Sequence, residues 1–411
     1  MRTRRPSTTK NIDPQPPLKA LIKMRIGIDG RELLGRRTGV GQYLAELLKR
    51  WVKPPSCNEH EFIVYAPKSN LSLDDSIRSL FESENNSINV RWIPGQPGTY
   101  WEQVQLVRAA KHDYLDRFFA PAYSSPLLPP APTVLTIHDL SFVTHPEWFR
   151  PLEGLRRRIT VKLSAKIAST ILTDSEFSRA QILNSLDVPA SRVKVIPPGI
   201  SKHSRFQQSE LDSDSVQIKS EDPESQKKNK LVLFVGSIFN RRRIPDLIRA
   251  FAQLVTTHHD LRLAIVGENR SYPYQDLNYL VETLGIADKV MIQSYVTDAA
   301  LEEFYSRASV FTFLSEYEGF GLTPLEALAA NIPTVVLDTP VAREVYGDAV
   351  LFVAPDDLDG TAKAIQALLF EEEVRLRQIH LARRTLARYS WDQSAADTLS
   401  ALVHTREGLN S

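Results

Sequence analysis

The stretch from Ser315 to Asn331, SEYEGFGLTPLEALAAN, constrains the fold of this chain more than any other segment. Just before it, Ala308 to Leu314 is short, continuously apolar and rich in Val and Phe, as is typical of a buried parallel strand. A loop with two glycines follows, and the letters TPLE predict a helix whose N-cap is Thr323. Asn331 is predicted to end that helix in the left-handed conformation. A strand, a glycine loop and a helix N-terminus in this order favour phosphate binding.

Two carboxylates flank the glycine loop, Glu318 and Glu326, with seven residues between them. Repulsion would keep both away from a phosphate itself, but each can accept hydrogen bonds from hydroxyls on either side of it. A nucleotide-sugar offers such hydroxyls on its ribose and on its sugar ring. The alternative for Glu326 is a structural role, in which it completes a capping box with Thr323. Glu318 has no comparable packing role, and the spacing alone leaves both interpretations of the pair open.

Composition and charge exclude several classes of protein. The chain has 411 residues, enough for two domains, and 50 basic against 49 acidic residues argue against a nucleic-acid binder. The single cysteine, Cys57, allows no internal disulfide and suits a reducing compartment. No apolar run approaches the roughly 18 residues of a membrane span. Residues 1–23 are basic and Pro-rich without an apolar core, which predicts a disordered tail, no secretory signal and a cytoplasmic protein.

Strands alternate with helices in two runs, over residues 24–200 and 231–390. Such alternation predicts parallel sheets with helices on both faces. Residues 201–230 between the runs are polar, and predict a linker because they cannot bury a core. The chain is therefore predicted to be an α/β protein with two doubly wound, Rossmann-like domains that face a central cleft. A ligand is expected in that cleft, at the carboxyl ends of the strands.

Two candidate groups in the first run lie in such loops. Gly39 and Gly41 precede the first helix, where their amides would face an anion or only form a turn. The dinucleotide fingerprint with three spaced glycines is absent there, which disfavours an NAD enzyme. His138 directly follows a buried strand, and a histidine at that position can donate a hydrogen bond or carry a proton. The alternative is that His138 only caps a turn together with Asp139.

Three arginines in the second run, Arg241, Arg242 and Arg243, separate a strand from the next helix. Cations at a helix N-terminus oppose the helix dipole and cost stability. That cost is explained if the arginines hold an anion, since their forked donors match phosphate. A solvated charged face is the alternative.

The predicted helix over residues 151–169 is strongly basic, with five basic residues against Glu153. Such a helix suits an anionic membrane surface or an acidic acceptor. An ordinary amphipathic surface helix is the favoured interpretation, because apolar residues recur at helical spacing. These apolar residues are Leu152, Leu155, Ile159 and Leu163, and the basic ones are Arg156, Arg157, Arg158, Lys162 and Lys166.

Taken together, these segments resemble the retaining nucleotide-sugar glycosyltransferases of family four, which have the GT-B fold, and in particular its mannosyltransferases. The resemblance runs from about Met24 to His404 without the polar segment. Its most specific part is the pattern of Glu, seven residues and Glu, here Glu318 to Glu326 followed by ALAANIPTVV. Further blocks occur in the expected order, namely GIDGRELLGRRTGVGQYLAELL, WEQVQL, TIHDLSFVTHPEWF, TDSEFSRAQIL and VAREVYGDAVLFV.

The resemblance implies a role for each candidate near the donor sugar. Glu318 would contact hydroxyls of the donor sugar, and Glu326 would contact the ribose. His138 would lie near the reacting centre, where it would touch the donor sugar or its phosphate. The backbone amides of the glycine loop would meet the sugar and the diphosphate. These amides belong to Gly319, Phe320, Gly321, Leu322 and Thr323.

The resemblance also implies how the diphosphate is held and what the reaction requires. Arg241 and Arg242 would bind the diphosphate, and the loop with Gly39 and Gly41 would close over it from the other domain. Transfer would proceed with retention, without a metal or other cofactor, to a glycan or a lipid-linked acceptor. The C-terminal helix, within residues 391–411, would cross back onto the first domain. Arg242 stands where lysine is usual in the family, which keeps the charge and changes the geometry.

Three functions are compatible with these residues. A glycosyltransferase is favoured, with GDP-mannose ahead of UDP-hexoses as its donor. An epimerase or phosphorylase on the same fold is the second possibility, and a phosphorylase of that kind would need a lysine for a pyridoxal cofactor. The third is a non-catalytic binder of sugar nucleotides within a polysaccharide assembly system.

Overall fold

The computed structural model describes residues 23–35, 38–68, 78, 81, 88–200 and 230–404. These residues form two α/β domains, each built around one parallel sheet. The tail predicted over residues 1–23 and the linker predicted over 201–230 lie outside the described residues, apart from Lys23 and Lys230.

The sheet of the first domain has seven strands in the order β3-β2-β1-β4-β5-β6-β7, and each neighbouring pair is parallel. Strands β1, β2 and β3 lie in chain order toward one edge of the sheet, and β4 then pairs with the other side of β1. The boundary between β1 and β4 is therefore the topological switch point, where ligands of such sheets bind. The strands are β1 (Met24–Asp29), β2 (His60–Lys68), β3 (Ile88–Pro94), β4 (Arg117–Ala120), β5 (Thr133–Thr136), β6 (Thr170–Thr173) and β7 (Val193–Val195).

The sheet of the second domain repeats this topology with six strands in the order β10-β9-β8-β11-β12-β13. Its switch point lies between β8 and β11. Because both sheets are parallel and covered by helices, the prediction of two doubly wound, Rossmann-like domains is confirmed. The strands are β8 (Leu231–Val235), β9 (Arg262–Val266), β10 (Val290–Gln293), β11 (Ala308–Phe313), β12 (Thr334–Leu337) and β13 (Leu351–Val353).

Helices follow most of the strands. The α-helices are α1 (Gly39–Trp51), α2 (Ser56–Glu59), α3 (Val107–Ala110), α4 (Ser141–Thr144), α5 (Pro151–Ile167), α6 (Glu176–Ser185), α7 (Ile244–Val255), α8 (Leu277–Thr283), α9 (Asp298–Arg307), α10 (Leu322–Ala329), α11 (Pro340–Tyr346), α12 (Leu358–Phe370), α13 (Glu372–Leu386) and α14 (Trp391–Val403). A π-helix, Trp101–Leu106, leads into α3. Short 3-10 helices cover Arg31–Leu33, Lys111–Asp113, Pro146–Trp148, Ala190–Arg192, Asn240–Arg242 and Gly347–Ala349.

Helix α14 packs on the first domain, although it follows the second domain in sequence. The indole Nε1 of Trp51 donates to the Ala395 carbonyl at 3.0 Å. Trp391 and Leu402 are buried in the same apolar cluster as Trp51. Gly199, at the exit from the first domain, lies so close to Trp391 that a Cβ would overlap its backbone. The two segments that connect the domains therefore touch each other.

Helix α5 turns its apolar stripe toward solvent. The residues that α5 buries do not belong to this stripe, and most of them are small, such as Gly154 and Ala165. Leu152 is 84% exposed, and its neighbours along the stripe are exposed as well, namely Leu155, Ile159, Leu163 and Ile167. An ordinary amphipathic surface helix buries its apolar side, so that interpretation of residues 151–169 was wrong. Across the described ranges, no helix combines the length and apolarity of a bilayer span.

Candidate functional site

The glycine loop after β11 and the start of α10 form the edge of the cleft in the second domain. Helix α10 begins at Leu322, one residue before the predicted N-cap Thr323, so that prediction was wrong. Its N-cap is Gly321, which has φ 89° and no side chain for capping. Glycine is required there because the conformation is left-handed and a Cβ would overlap the Tyr346 hydroxyl. The first amides of α10 therefore have no side-chain cap.

Glu326 does not complete a capping box, because Thr323 is not the N-cap. Its carboxylate instead accepts hydrogen bonds from Gln42 Nε2 at 3.4 Å and from the Tyr305 hydroxyl at 3.5 Å. Gln42 belongs to α1 of the first domain, so this contact crosses the cleft. The capping role considered for Glu326 is thus excluded, and a role as a hydroxyl acceptor remains a prediction.

Glu318 lies between two arginines from the loop after β8. Its Oε1 is 3.1 Å from Nε of Arg242 and 3.9 Å from Nε of Arg241. The Ser315 hydroxyl donates to the same oxygen at 2.8 Å. Burial favours the neutral acid, but the charges of Arg242 and Arg241 outweigh it and hold the pKa of Glu318 below its usual value. Burial lowers the pKa of Arg242, yet a guanidinium stays charged in proteins. The three side chains therefore carry one surplus positive charge at neutral pH.

The third arginine, Arg243, has a different environment from its two neighbours. It is the N-cap of α7 in the left-handed conformation, with φ 50°. Its Nε is 2.6 Å from Asp246 and its Nη1 is 2.8 Å from Glu316, while Nη2 pairs with Asp356. These carboxylates offset the unfavourable position of a cation at a helix N-terminus. Arg243 is thus held by three carboxylates, and of the three arginines only Arg241 and Arg242 face Glu318.

Both ring nitrogens of His138 are bonded to other protein groups. Nδ1 lies 2.8 Å from Oδ2 of Asp174, and Nε2 lies 2.9 Å from the Pro121 carbonyl. Both partners are oxygens that accept from N–H groups, and a ring protonated on both nitrogens satisfies both of them. Burial disfavours this charge, but Asp174 outweighs burial and raises the pKa of His138 above its usual value. Both ring nitrogens of His138 are thus engaged within the first domain, and its role near the reacting centre stays a prediction.

The turn after His138 is capped without the histidine side chain. Asp139 accepts from the Ser141 backbone N–H at 2.9 Å and from the Ser141 hydroxyl at 2.8 Å. The His138 carbonyl, in contrast, faces the second domain, where a Cβ on Gly319 would overlap it. His138 and Gly319 are thus brought into contact across the cleft through their backbones.

Gly39 and Gly41 lie inside the first turn of α1 and not in a loop. The N–H of Gly41 donates to Oγ1 of the N-cap Thr38 at 3.0 Å, so the prediction that this amide faces an anion was wrong. A Cβ at Gly41 would overlap the Glu32 carbonyl, which gives this glycine a packing reason. Gly39 is exposed with open space around its Cα.

The switch point of the first domain carries a buried charged cluster that sequence reasoning missed. Nη2 of Arg31 lies 2.8 Å from Oδ2 of Asp29 and 2.8 Å from Oε1 of Glu102. The Ser124 hydroxyl donates to the same oxygen of Glu102 at 2.7 Å. Burial raises the pKa of Asp29. Two sequence features point to this cluster: the charged residues at and after the end of β1, and the glutamate in the block WEQVQL. That block contributed to the family resemblance, but its glutamate was not considered as a site residue.

No group of three His, Cys, Asp or Glu side chains in the described ranges could hold a metal ion. At the two switch points, arginines pair with carboxylates.

Two sequence families match consecutive parts of the chain. The family described as Glycosyltransferase Family 4 matches residues 37–203, and Glycosyl transferases group 1 matches residues 215–385. The two matches correspond to the first and second domains.

Mannosyltransferases occur among the chain's relatives. O-antigen chain mannosyltransferase B of Escherichia coli is 28% identical over 89% of this chain and 95% of its own length. O-antigen chain mannosyltransferase RfbU of Salmonella typhimurium is 28% identical over 63% of this chain and 65% of its own length.

Solved structures share the arrangement of the two domains. HepE of Anabaena in complex with UDP and glucose has a TM-score of 0.67, 20% identity and coverage of 92% of this chain and 100% of its own. Sucrose-phosphate synthase of Thermosynechococcus elongatus has a TM-score of 0.71 and 17% identity, covering 92% of this chain and 98% of its own. With both family matches and this shared fold, the chain belongs to the family four, mannosyltransferase-like glycosyltransferases of the GT-B fold, which use a nucleotide-sugar donor.

Proposed function

We propose that the protein transfers mannose from GDP-mannose to a glycan or lipid-linked acceptor, with retention of configuration and without a metal or other cofactor. The observation that carries this proposal is the pair Arg241 and Arg242 around Glu318, which leaves one surplus cation at a strand edge in the cleft. A diphosphate is the part of the donor that needs such a charge. The mannosyltransferases among the relatives support the choice of sugar.

The arginines would bind the diphosphate and stabilise it as it leaves. Arg242 uses Nε for Glu318 and Nη1 for the Ser237 carbonyl. No described residue accepts from its Nη2, whose N–H groups would serve the phosphate oxygens. Breaking the bond between sugar and phosphate builds negative charge on the diphosphate, and fixed donors aimed there lower the barrier. The uncapped amides of α10 would add to this field.

The two glutamates would orient the donor from its two ends. Glu318 would accept hydrogen bonds from the sugar hydroxyls, and Glu326 would accept them from the ribose. Gln42 and Tyr305 now contact Glu326 at 3.4 and 3.5 Å, distances at the weak end of hydrogen bonding. Ribose hydroxyls would form shorter bonds with that carboxylate.

Retention would follow from attack on the same face that the diphosphate leaves. The acceptor oxygen forms a bond to the anomeric carbon as the bond from that carbon to the phosphate oxygen breaks. The proton of the acceptor hydroxyl then passes to the leaving diphosphate. His138 would not take this proton, because Asp174 and the Pro121 carbonyl engage both of its ring nitrogens. Its role would be to hold the segment that contacts Gly319.

A thermal-shift screen against GDP-, UDP- and ADP-sugars tests the donor. GDP-mannose is expected to stabilise the protein most, and GDP release with a lipid-linked or glycan acceptor should depend on that sugar. Stabilisation by UDP-hexoses alone would replace the proposed donor. Stabilisation without turnover for any acceptor would favour a non-catalytic binder.

Helix α5 would hold the protein at the inner face of an anionic membrane. Its exposed apolar stripe is flanked by exposed basic side chains, including Arg156, Lys162 and Lys166. An apolar face with basic borders inserts into the headgroup region of anionic lipids. A lipid-linked acceptor would then reach the cleft from the same surface.

Vesicle flotation tests this contact. The wild type should bind vesicles that contain phosphatidylglycerol and should not bind pure phosphatidylcholine vesicles. Leu152→Ser combined with Ile159→Ser should abolish binding, while Leu284→Ser, at another exposed leucine, should leave it intact. Equal binding of all variants would exclude α5 as the contact.

A further inference from the structure

The start of α6 in the first domain touches the glycine loop of the second domain. The hydroxyl of Ser175 donates to the Gly319 carbonyl at 2.6 Å. The hydroxyl of Ser178 lies 3.1 Å from the same carbonyl and 3.1 Å from the His138 carbonyl. Ser175 and Ser178 are both 1% exposed, so water cannot readily take their place. The Gly319 carbonyl is therefore directed toward the first domain.

Because the direction of the Gly319 carbonyl is fixed, the direction of the N–H group in the same peptide is fixed as well. The Gly319 carbonyl and the Phe320 N–H belong to one planar peptide, in which they point in opposite directions. The N–H of Phe320 thus points away from α6, and none of the described residues accepts a hydrogen bond from it. It lies in the loop between Glu318 and α10, where the proposed donor would need amide donors.

A carboxylate of the second domain holds α6 in this position. Oε1 of Glu344 accepts from the Glu176 N–H at 2.7 Å, and Oε2 accepts from the Phe177 N–H at 2.9 Å. Glu344 lies on α11, so the first amides of a ten-residue helix are capped from the other domain. A negative charge at a helix N-terminus is favourable, and each bond to it is charge-assisted. The contact keeps the two serines against Gly319.

We propose that Ser175, Ser178 and Glu344 form an inter-domain strut that aims the Phe320 N–H at the nucleotide-sugar donor. The donor site in the second domain is then complete only when α6 of the first domain is docked. These three residues are positioning residues, since none of them touches the donor. The inference rests on the proposed donor site around Arg242 and Glu318.

Steady-state kinetics with varied donor concentration test the strut. Ser178→Ala should raise the donor KM about fivefold and the double variant Ser175→Ala/Ser178→Ala about twentyfold, as expected for one or two lost hydrogen bonds. The kcat at saturating donor should change by less than about twofold, because the reacting groups stay in place. Glu344→Gln, which keeps one acceptor and loses the charge, should raise KM by an intermediate factor. Ser175→Thr, which keeps the capping hydroxyl, should retain the wild-type KM.

Control variants separate positioning from stability. Ser185→Ala at the other end of α6 and Glu282→Gln on the surface of the second domain should leave the donor KM unchanged. Melting temperatures of all variants, measured with and without donor, show whether each is folded at the assay temperature. Unchanged donor KM in folded serine variants would overturn the strut, even if their melting temperatures fall. If Arg242→Ala also left donor binding intact, the proposed donor site itself would be wrong.

Discussion

The switch points of the two sheets carry the same kinds of side chain in opposite proportion. In the first domain one arginine, Arg31, lies between two carboxylates, Asp29 and Glu102. In the second domain one carboxylate, Glu318, lies between two arginines. In the first domain the cluster joins the end of β1 and the loop after it to the π-helix that precedes β4. In the second domain it joins the segments that follow β8 and β11. The repeated topology therefore places both clusters at equivalent edges of their sheets.

The difference in proportion indicates which cluster can bind an anion. Two carboxylates satisfy Arg31 and leave no positive charge for a ligand, and burial raises the pKa of Asp29. In the second domain the arginines outnumber Glu318 and hold the pKa of that carboxyl below its usual value. The same fold thus provides a carboxylate-rich cluster on one side of the cleft and a cation-rich one on the other. The diphosphate is expected at the second.

The largest effect is expected on stability, from removal of Arg31. Arg31→Met leaves Asp29 and Glu102 buried without their partner, and the free energy of unfolding should fall by about 3–5 kcal/mol. Arg242→Met should cost about half as much or less, because Arg241 remains 3.9 Å from Glu318. Urea denaturation of both variants measures the difference. Equal losses would remove the contrast between the clusters, and Arg31→Met/Glu102→Gln should recover part of the loss.

The next largest effect is expected on turnover, from Glu318→Ala. Loss of charge-assisted hydrogen bonds to the donor sugar should lower kcat/KM about a hundredfold. The affinity for GDP, which lacks the sugar, should change by less than about threefold. Assays of mannose transfer and calorimetric titration with GDP measure the two quantities. Full turnover in this variant would show that Glu318 only pairs with the arginines.

Glu326→Gln should produce a smaller effect, of about tenfold on donor affinity, through one weakened hydrogen bond to the ribose. Because Glu326 is not part of a capping box, the free energy of unfolding should change by less than about 1 kcal/mol. Titration with GDP-mannose and urea denaturation test both statements. A large loss of stability with normal donor affinity would assign Glu326 a structural role.

The smallest expected effect is a pH dependence of stability with opposite signs in the two domains. His138 has its pKa raised above 6.5, so its contribution is present below that pH and is lost as pH rises through the folded-state pKa. Glu318 has its pKa lowered from 4.5, so its contribution is present above that pH and is lost as pH falls through the folded-state pKa. Asp174→Asn should flatten the alkaline decline, and Glu318→Gln the acid one, in melting curves across pH. An unchanged alkaline decline in Asp174→Asn would contradict the role of the pair His138 and Asp174. An unchanged acid decline in Glu318→Gln would contradict the role of the pairing between Glu318 and the arginines.

Much of the fold follows from local sequence patterns. The alternation of apolar runs and helical periods predicted both sheets, and Asn331 has the predicted left-handed conformation, with φ 57°. Strand β4, with the letters RFFA, cannot be predicted from its own residues, because four residues between Asp116 and Pro121 give no periodic signal. Its assignment depends on pairing with β1 and β5, which are distant in sequence.

The site was predictable only in part, because several of its bonds join distant segments. Glu318 and the arginines could be predicted as site residues from the local sequence. Glu318 has no packing role beside the glycine loop, and the arginines precede a helix N-terminus, where cations are unfavourable. The orientation of α5 could not be predicted, since the same periodicity fits an inward or an outward apolar stripe. The partners of His138 lie 36 and 17 residues away, and the Glu344 contact with α6 spans 168 residues. Such contacts are set by tertiary structure and leave no spacing to detect.

Calorimetric titration with GDP, and in parallel with UDP, tests whether the cation-rich switch point binds the donor diphosphate. Arg242→Gln should weaken binding of the preferred nucleotide by about 30–100-fold, because charge-assisted bonds to phosphate are lost. The matched variant Arg243→Gln, at the neighbouring arginine held by Asp246, Glu316 and Asp356, should weaken it by less than about threefold. Equal weakening by both variants, or none by Arg242→Gln, would show that Arg242 does not hold the diphosphate.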